Sequence, residues 1–265
     1  MLIYKIKINS MPKLISKNTN YLMYQIDKSD HDLNFMDISQ IKTIFVHSGE
    51  MDVYLEINSE SKHIKLLSNE GINIMPNVKF SINAKSSLSI VVQSSKNKDP
   101  IIEISDNNGQ RSEEQIEYYK IIKNPKRVNK PWGHEIWITW FKNHHVLKRI
   151  FMEKGNKCSL QYHEEKSETN LIIEGKANVL KDIKLQKGIS EKEALDYFNE
   201  IEDLNYFMKE MESGDYWNND IFEIHRVYSL DSYTAYEAST YQLDDVIRLQ
   251  DDNNRVSGFI QSEHN

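Results

Sequence analysis

Three polar residues set between two glycines constrain this chain more than any other feature. Counting from Gly155, five residues precede Gln161, one separates it from His163, four precede Glu168 and six precede Gly175. Side chains two positions apart on a strand point to the same face, so Gln161 and His163 are expected to share one. Glu168 follows a short turn and can return along the neighbouring strand. An amide oxygen, an imidazole and a carboxylate are therefore predicted to converge on one point.

These ligand types predict a site for one divalent metal ion, and His225 can supply a fourth ligand from a later strand. Mixed nitrogen and oxygen ligands suit Zn²⁺, which we expect first, and also Mn²⁺, Fe²⁺ or Co²⁺. Positions on the metal not taken by protein would accept water or substrate.

Composition excludes several classes of function. The chain has 265 residues with a formal net charge of -7, and no run of Lys and Arg stands out. Nucleic acid is therefore not an expected partner, since binding it requires a clustered basic face. No stretch approaches the roughly 20 apolar residues of a membrane span, and residues 1–7 lack the apolar core of a signal peptide. The single cysteine, Cys158, cannot form an internal disulfide, which favours the cytoplasm.

Two domains are expected, 1–115 and 116–265, because the segment 105–115 is polar throughout and resembles a linker. Short runs of alternating or continuous apolar residues predict strands on both sides of it. In the first half these runs are 44–50, 51–58, 63–67, 71–76 and 87–93; in the second half they are 146–152, 171–175, 177–180 and 233–241. Closely spaced short strands are typical of an antiparallel sandwich or barrel.

One segment of the second half is helical in pattern. Ser190 and Glu193 form a capping box, in which each side chain satisfies a free backbone N–H of the other. Leu195, Phe198 and Ile201 then recur at helical spacing. The predicted helix is either a surface insertion or a wall over the mouth of the barrel.

The metal-site spacing resembles the first motif of the cupins, with Gln161 where many cupins carry a histidine. A second motif is similar from Gly214 through Asp220 and Phe222 to His225 and Ser229, although many cupins have Pro, Gly, His and Asn at the last four of these places. Two motifs that follow each other in the expected order favour a metal site over the alternative, which is a chance polar hairpin with a surface histidine.

The segment 130–255 resembles a narrower group, the cupin domain of type II mannose-6-phosphate isomerases. The similarity lies in Lys130-Pro-Trp-Gly, in Val146-Leu-Lys-Arg-Ile, in Ser159-Leu-Gln-Tyr-His with Lys166-Ser-Glu, and in Asp244-Asp-Val-Ile-Arg with Arg255. A Gln ligand is typical of this group. The chain departs from the pattern at Asn253-Asn-Arg, where the family has Tyr-Gly-Arg, and at Lys130, which replaces an Arg.

The N-terminal half resembles a degenerate cupin. Residues 49–54 are similar to the end of a first motif and residues 71–76 to the start of a second, while Phe80 stands near the place of a ligand histidine. The resemblances together imply an all-β bicupin, with two jelly-roll barrels and a short helical insertion in the second.

The same resemblance implies a metal-dependent isomerase that interconverts aldose and ketose forms of a sugar or sugar phosphate. Lys148 and Glu237 are then candidates for the base, and Arg255 and Arg248 for holding a phosphate or hydroxyl. Trp132, with Lys130, is expected at the substrate. Each of these side chains also has a structural alternative, such as an ion pair between Arg248 and a neighbouring Asp.

Two other functions stay open from the sequence: an Fe²⁺-dependent cupin oxygenase and a non-catalytic sugar-binding cupin. We expect a homodimer whose partner molecules are small sugars, with no membrane or nucleic acid involved. His144 and His145 are predicted to be solvated in a polar turn, and Tyr162 to face away from the metal.

Overall fold

The computed structural model describes residues 12–27, 38–95, 101–105 and 111–260. Residues 1–7, which were considered as a possible signal peptide, lie outside these ranges. Residues 106–110, the middle of the predicted linker, lie outside them too. The strands, in chain order, are β1 Lys13–Lys17, β2 Tyr21–Ile26, β3 Lys42–Ile57, β4 Glu60–Leu67, β5 Gly71–Ile74, β6 Lys79–Ser94, β7 Ile101–Ser105, β8 Arg111–Gln115, β9 Tyr119–Ile122, β10 Lys126–Lys130, β11 Gly133–Lys142, β12 Val146–Met152, β13 Leu160–Tyr162, β14 Glu168–Glu174, β15 Lys176–Lys184, β16 Met208–Glu212, β17 Tyr216–Asn219, β18 Glu223–Ser229, β19 Tyr233–Ser239 and β20 Ile247–Gln250.

The chain divides into two compact units. Unit 1 comprises Met1–Pro100 and Gln115–Asn124, and unit 2 comprises Ile101–Glu114 and Pro125–Asn265. The chain passes from one unit to the other after residues 100, 114 and 124, and the predicted boundary after residue 115 lies within this stretch. The predicted linker is in part regular structure, since β7 and β8 belong to a sheet of unit 2.

Unit 1 is a single antiparallel sheet with the order β1-β2-β6-β3-β5-β9, and β4 pairs with β3. The two strands predicted at 44–50 and 51–58 are one continuous strand, β3. Its pairing with β6 shifts register on both sides of Ser48, and Gly49 there has a φ of 87°. Such irregularities bend and twist a strand without ending it, which is why the turn-like Ser48-Gly49 pair does not break β3.

Unit 2 contains two sheets. One has the order β17-β14-β19-β12-β11-β7-β8 with β10 paired to β11, and the other has the order β16-β15-β18-β13-β20. The predicted all-β class with jelly-roll units is confirmed. Gly175 lies between β14 and β15 with a φ of 83°, and a Cβ there would stand 2.2 Å from the Ser232 carbonyl oxygen. Only glycine fits this turn, as the sequence pattern required.

The predicted helix is confirmed as α1, Glu191–Asn199, between β15 and β16. Ser190 is its N-cap, and the capping box with Glu193 is complete. Ala194 and Phe198 are buried in an apolar cluster with Leu180 and Ile183. In the described part of the chain, no helix is long and apolar enough to cross a membrane.

Candidate metal centre

Residues from both sheets of unit 2 form the candidate site. Gln161 on β13 lies directly opposite His225 on β18, and His163 follows the end of β13. Glu168 begins β14, which pairs with β17 and β19 and not with β13. The expectation that Glu168 returns along the neighbouring strand is therefore wrong: it reaches the site from the other sheet.

Three buried side chains converge as the sequence predicted. The ligand atoms of His163, Glu168 and His225 all lie within 4.8 Å of one another. The Nε2 atom of His163 is 3.7 Å from Glu168 Oε2, and that of His225 is 3.6 Å from Glu168 Oε1. An ion between the two rings and the carboxylate could be held by all three residues.

Hydrogen bonds to backbone carbonyls orient both imidazoles. His163 donates from Nδ1 to the Asp245 carbonyl, and His225 donates from Nδ1 to the Glu223 carbonyl at 3.0 Å. Both Nε2 atoms thus keep a lone pair, which is the arrangement usual for metal-bound histidine. Burial lowers the pKa of His163 well below its ordinary value, so the ring is neutral. Its Nε2 is buried without a hydrogen-bond partner, which fits a site for a cation.

The amide of Gln161 is also at the site. Its Nε2 is 3.3 Å from His225 Nε2, and its Oε1 accepts a hydrogen bond from Ser159 Oγ at 3.0 Å. A half-turn of the amide would present Oε1 to the centre, and Nε2 could then donate to the Ser159 hydroxyl, because a hydroxyl both donates and accepts. The residue is thus placed to be a fourth ligand.

Glu168 is held as a carboxylate by three donors. Its Oε1 accepts from Asn219 Nδ2 at 2.8 Å and from Asn170 Nδ2 at 3.3 Å, and its Oε2 accepts from Lys166 Nζ at 2.6 Å. Burial alone would raise the pKa of this carboxyl, but the charge of Lys166 and its hydrogen bond outweigh burial and hold the pKa well below its usual range. In the sequence, Lys166 stands out only as part of the motif Lys166-Ser-Glu, which does not indicate that its side chain contacts Glu168.

The pocket beside the ligands carries a second group of buried charges. Lys148 on β12 lies directly opposite Glu237 on β19, with 3.9 Å between Nζ and Oε1. Lys148 therefore points inward, and its Nζ is also 3.3 Å from Glu135 Oε2. Lys166 Nζ is 2.9 Å from Glu237 Oε1.

Glu135 is a pocket residue that the sequence analysis missed. Its Oε2 accepts a hydrogen bond from Trp137 Nε1 at 2.7 Å. Burial opposes its ionisation, yet the charges of Lys130 and Lys148 and this hydrogen bond lower the pKa of Glu135 to about 2. Glu135 lies on β11, where no motif or spacing in the sequence indicates that a charged side chain faces inward.

The four remaining predicted residues all line the same pocket: Lys130, Trp132, Arg248 and Arg255. Trp132 is buried. Arg255 donates from Nε and Nη2 to Asp251 Oδ2, at 3.0 and 2.6 Å, and from Nη2 to Ser159 Oγ at 3.3 Å. The guanidinium of Arg248 contacts backbone carbonyls near the end of the described chain.

Three other sequence expectations can be compared with the structure. His144 and His145 are fully buried, so their predicted solvation is wrong; burial lowers the pKa of His145 to about 3. Tyr162 packs in an apolar cluster with Phe222, away from the pocket as predicted. None of the described residues that line the pocket comes from α1, which favours the interpretation of the helix as a surface insertion.

Part of this chain is similar to a known protein family. Residues 118–227 match the family described as mannose-6-phosphate isomerase C-terminal. A search of curated proteins finds no match to this chain.

Solved structures of oxalate decarboxylases share the fold. A Bacillus subtilis oxalate decarboxylase, described by its Mn(II) centres, has a TM-score of 0.56 at 10% identity, over 91% of this chain and 77% of that one. A formate complex of the Lactobacillus farciminis enzyme has a TM-score of 0.55 at 10% identity, over 87% and 79%. At this identity the likeness concerns the fold alone. The chain has the fold of these oxalate decarboxylases, and its segment 118–227 is similar to the family described as mannose-6-phosphate isomerase C-terminal.

Proposed function

We propose that this protein is a metal-dependent isomerase that interconverts the aldose and ketose forms of a sugar or sugar phosphate. One observation carries the proposal: Glu168 and His225, whose ligand atoms lie within 4.8 Å of that of His163, line the same pocket as Glu237, a carboxylate flanked by two lysines. Isomerisation through an enediol requires both a cation for the oxygens and a base for a carbon-bound proton. The family match over 118–227 supports the same reaction class.

Gln161, His163, Glu168 and His225 are the proposed ligands of one divalent ion. When bound, such an ion would stabilise negative charge that develops on the carbonyl and adjacent hydroxyl oxygens of the sugar. The charge-neutral amide and imidazoles with one carboxylate suit Zn²⁺, Mn²⁺, Fe²⁺ or Co²⁺.

Glu237 is the better placed of the two candidate bases. Its carboxylate faces Lys166 Nζ at 2.9 Å and Lys148 Nζ at 3.9 Å, and these two contacts fix its position in the pocket. Lys148 lies between the carboxylates of Glu135 and Glu237 and is engaged in ion pairs with both. Lys148 is therefore proposed to hold Glu237 in place and to donate a hydrogen bond to substrate.

In the proposed step, Glu237 takes the proton from C2 of the aldose. The C–H electron pair forms the C1–C2 double bond, and the carbonyl electrons move to O1. The C2 hydroxyl then passes its proton to O1, its O–H electron pair forms the C2 ketone, and the C1–C2 π electrons take the proton back from the same carboxyl at C1. The cationic side chains of Lys130 and Arg255 in the pocket suit an anionic substrate such as a sugar phosphate, and Trp132 offers an apolar wall.

The test uses the full chain loaded in turn with each of the four metals and a panel of free and phosphorylated aldoses and ketoses in D₂O. Isomerisation by proton transfer incorporates deuterium at carbon, which ¹H NMR detects. We expect Glu237→Gln to lower kcat at least 10³-fold with KM changed less than about threefold, because a base acts in the transition state and not in binding. Exposed Glu212, on β16, provides the matched control Glu212→Gln, which should leave both constants unchanged.

Either of two results would favour a different function. Oxygen uptake by the iron-loaded protein without deuterium incorporation would favour an oxygenase. Sugar binding in calorimetry, without exchange at any carbon, would favour a non-catalytic binding cupin. A homodimer remains a prediction that sedimentation velocity can check.

A further inference from the structure

The described chain ends beside the candidate metal centre. Residues 256–260, which we name the C-terminal segment, follow Arg255 directly. Three of them, Gly258, Phe259 and Ile260, line the same pocket as the metal-site residues. The segment therefore forms part of the pocket wall, although its sequence has no motif that drew attention to it.

Arg248 holds this segment through several hydrogen bonds. Its Nη1 donates to the carbonyl oxygens of Val256, at 2.5 Å, and Gly258, at 3.2 Å, and its backbone N–H donates to Ser257 Oγ at 3.0 Å. The Gly258 N–H donates to the Val246 carbonyl at 2.8 Å. Bonds from a charged donor are stronger than those between neutral groups, so the guanidinium is a firm attachment point.

Arg248, which holds the C-terminal segment, is paired in the sheet with one of the proposed metal ligands. Arg248 on β20 lies opposite Gln161 on β13 in the strand pairing. The position of the C-terminal segment is therefore set relative to Gln161 by regular sheet structure. This differs from the expectation that Arg248 serves substrate directly, because backbone carbonyls already accept from its Nη1.

We propose that Arg248 is a positioning residue that holds the C-terminal segment as a wall of the metal pocket, and that Phe259 on this wall restricts the pocket to substrates of about the size of one sugar ring. The proposal deepens the proposed function and relies on it for the identity of the site. The competing interpretation is that Arg248 binds a substrate anion and the segment has no role.

The first experiment measures hydrogen–deuterium exchange in the full-length protein. The Gly258 amide is protected by its bond to Val246, so Arg248→Met should accelerate its exchange at least tenfold, and Arg248→Lys should restore part of the protection, since an ammonium also donates to carbonyls. Exposed Arg127, which bonds Asn129, gives the matched control Arg127→Met, with no expected change. Unchanged exchange in Arg248→Met would overturn the positioning role.

The second experiment measures access to the pocket, using Co²⁺-loaded protein and EDTA. Phe259→Ala and a chain ended at Arg255 should each lose Co²⁺ at least fivefold faster than the wild type, and Arg248→Met should behave like the shortened chain. Equal rates of Co²⁺ loss in the wild type and the three variants would contradict the proposal that the C-terminal segment forms a wall of the pocket. If the wild type retains no Co²⁺, the metal-site proposal fails, and the exchange experiment still decides the role of Arg248.

The third experiment compares two probes by saturation-transfer NMR, mannose 6-phosphate and the bulkier trehalose 6-phosphate. The wild type should bind only the first, and Phe259→Ala and the shortened chain should bind both. Binding of both probes by the wild type would overturn the size limit. If the wild type binds neither, mannose 6-phosphate is not its substrate, and the Co²⁺ rates alone decide whether a wall exists.

Discussion

Gln161 and His225 lie directly opposite each other on paired antiparallel strands, with 3.3 Å between their Nε2 atoms. They are 64 positions apart in the chain, and each belongs to a different one of the two sequence motifs. The sheet thus brings an amide and an imidazole side by side, and Glu168 approaches them from the other sheet of unit 2. Four predictions follow from the geometry of this site and of other parts of unit 2.

Removal of both imidazoles should abolish metal binding. In His163→Ala with His225→Ala, only Gln161 and Glu168 would remain of the proposed ligands, too few to hold a divalent ion at micromolar concentration. We expect metal content after dialysis to fall below about a tenth of the wild-type value, measured by plasma mass spectrometry. His63 in unit 1 is half exposed and provides the control His63→Ala. Full metal content in the double variant would show that the site is elsewhere.

Replacement of the amide by an imidazole should strengthen the site. Gln161→His substitutes a better nitrogen donor for a weak neutral oxygen donor, so the Kd for Zn²⁺ or Co²⁺ should fall at least tenfold, and Gln161→Ala should raise it. Competition with a chromogenic chelator measures both. The exposed Gln186 allows the control Gln186→His, in which a new surface histidine should not alter the Kd. An unchanged Kd in both variants at 161 would remove Gln161 from the ligand set.

Ionisation of Glu135 should make unit 2 more stable above pH 4.5 than below it. The pKa of this carboxyl is lowered from 4.5 to about 2 in the folded protein. A group with a lowered folded pKa stabilises the fold above its unfolded pKa, and this contribution is lost as the pH falls towards the folded pKa. At neutral pH it amounts to roughly 3 kcal/mol as an upper bound.

Urea unfolding of the metal-free protein between pH 7 and pH 2.5 tests this, and tryptophan fluorescence reports on unit 2 because all four tryptophans lie in it. The difference in free energy of unfolding between the wild type and Glu135→Gln should shrink as the pH falls through this window. A difference independent of pH would contradict the prediction.

Loss of the helix cap should destabilise unit 2 modestly. Ser190→Ala removes the oxygen that accepts from the Glu193 N–H at 3.3 Å, which we expect to cost about 1 kcal/mol in free energy of unfolding. Ser190→Gly should cost only a few tenths, since glycine is tolerated at an N-cap. The same urea unfolding by tryptophan fluorescence measures both. An equal loss in the two variants would indicate that the hydroxyl contributes nothing.

The metal-ligating residue types could be predicted because their spacing is a local property. A period of two sets the shared face of Gln161 and His163, and the Ser190 capping box and the turn at Gly175 also depend only on neighbours in the chain. The buried states of His144, His145 and Glu135 could not be predicted, because burial depends on what other strands cover, and neither the turn with the two histidines nor the strand with Glu135 carries a local signal of it.

The sequence by itself determined the class of fold, the four proposed ligands and the capped helix, since each follows from short-range periodicity or from a spaced motif. Only the tertiary structure decided that Glu168 arrives from the other sheet, that Lys166 and Lys148 flank Glu237, and that Arg248 holds residues 256–260. The physical reason is that sheet pairing joins segments far apart in the chain. Which strands pair is settled by packing and backbone hydrogen bonding over the whole unit, so no local pattern in the sequence can specify it.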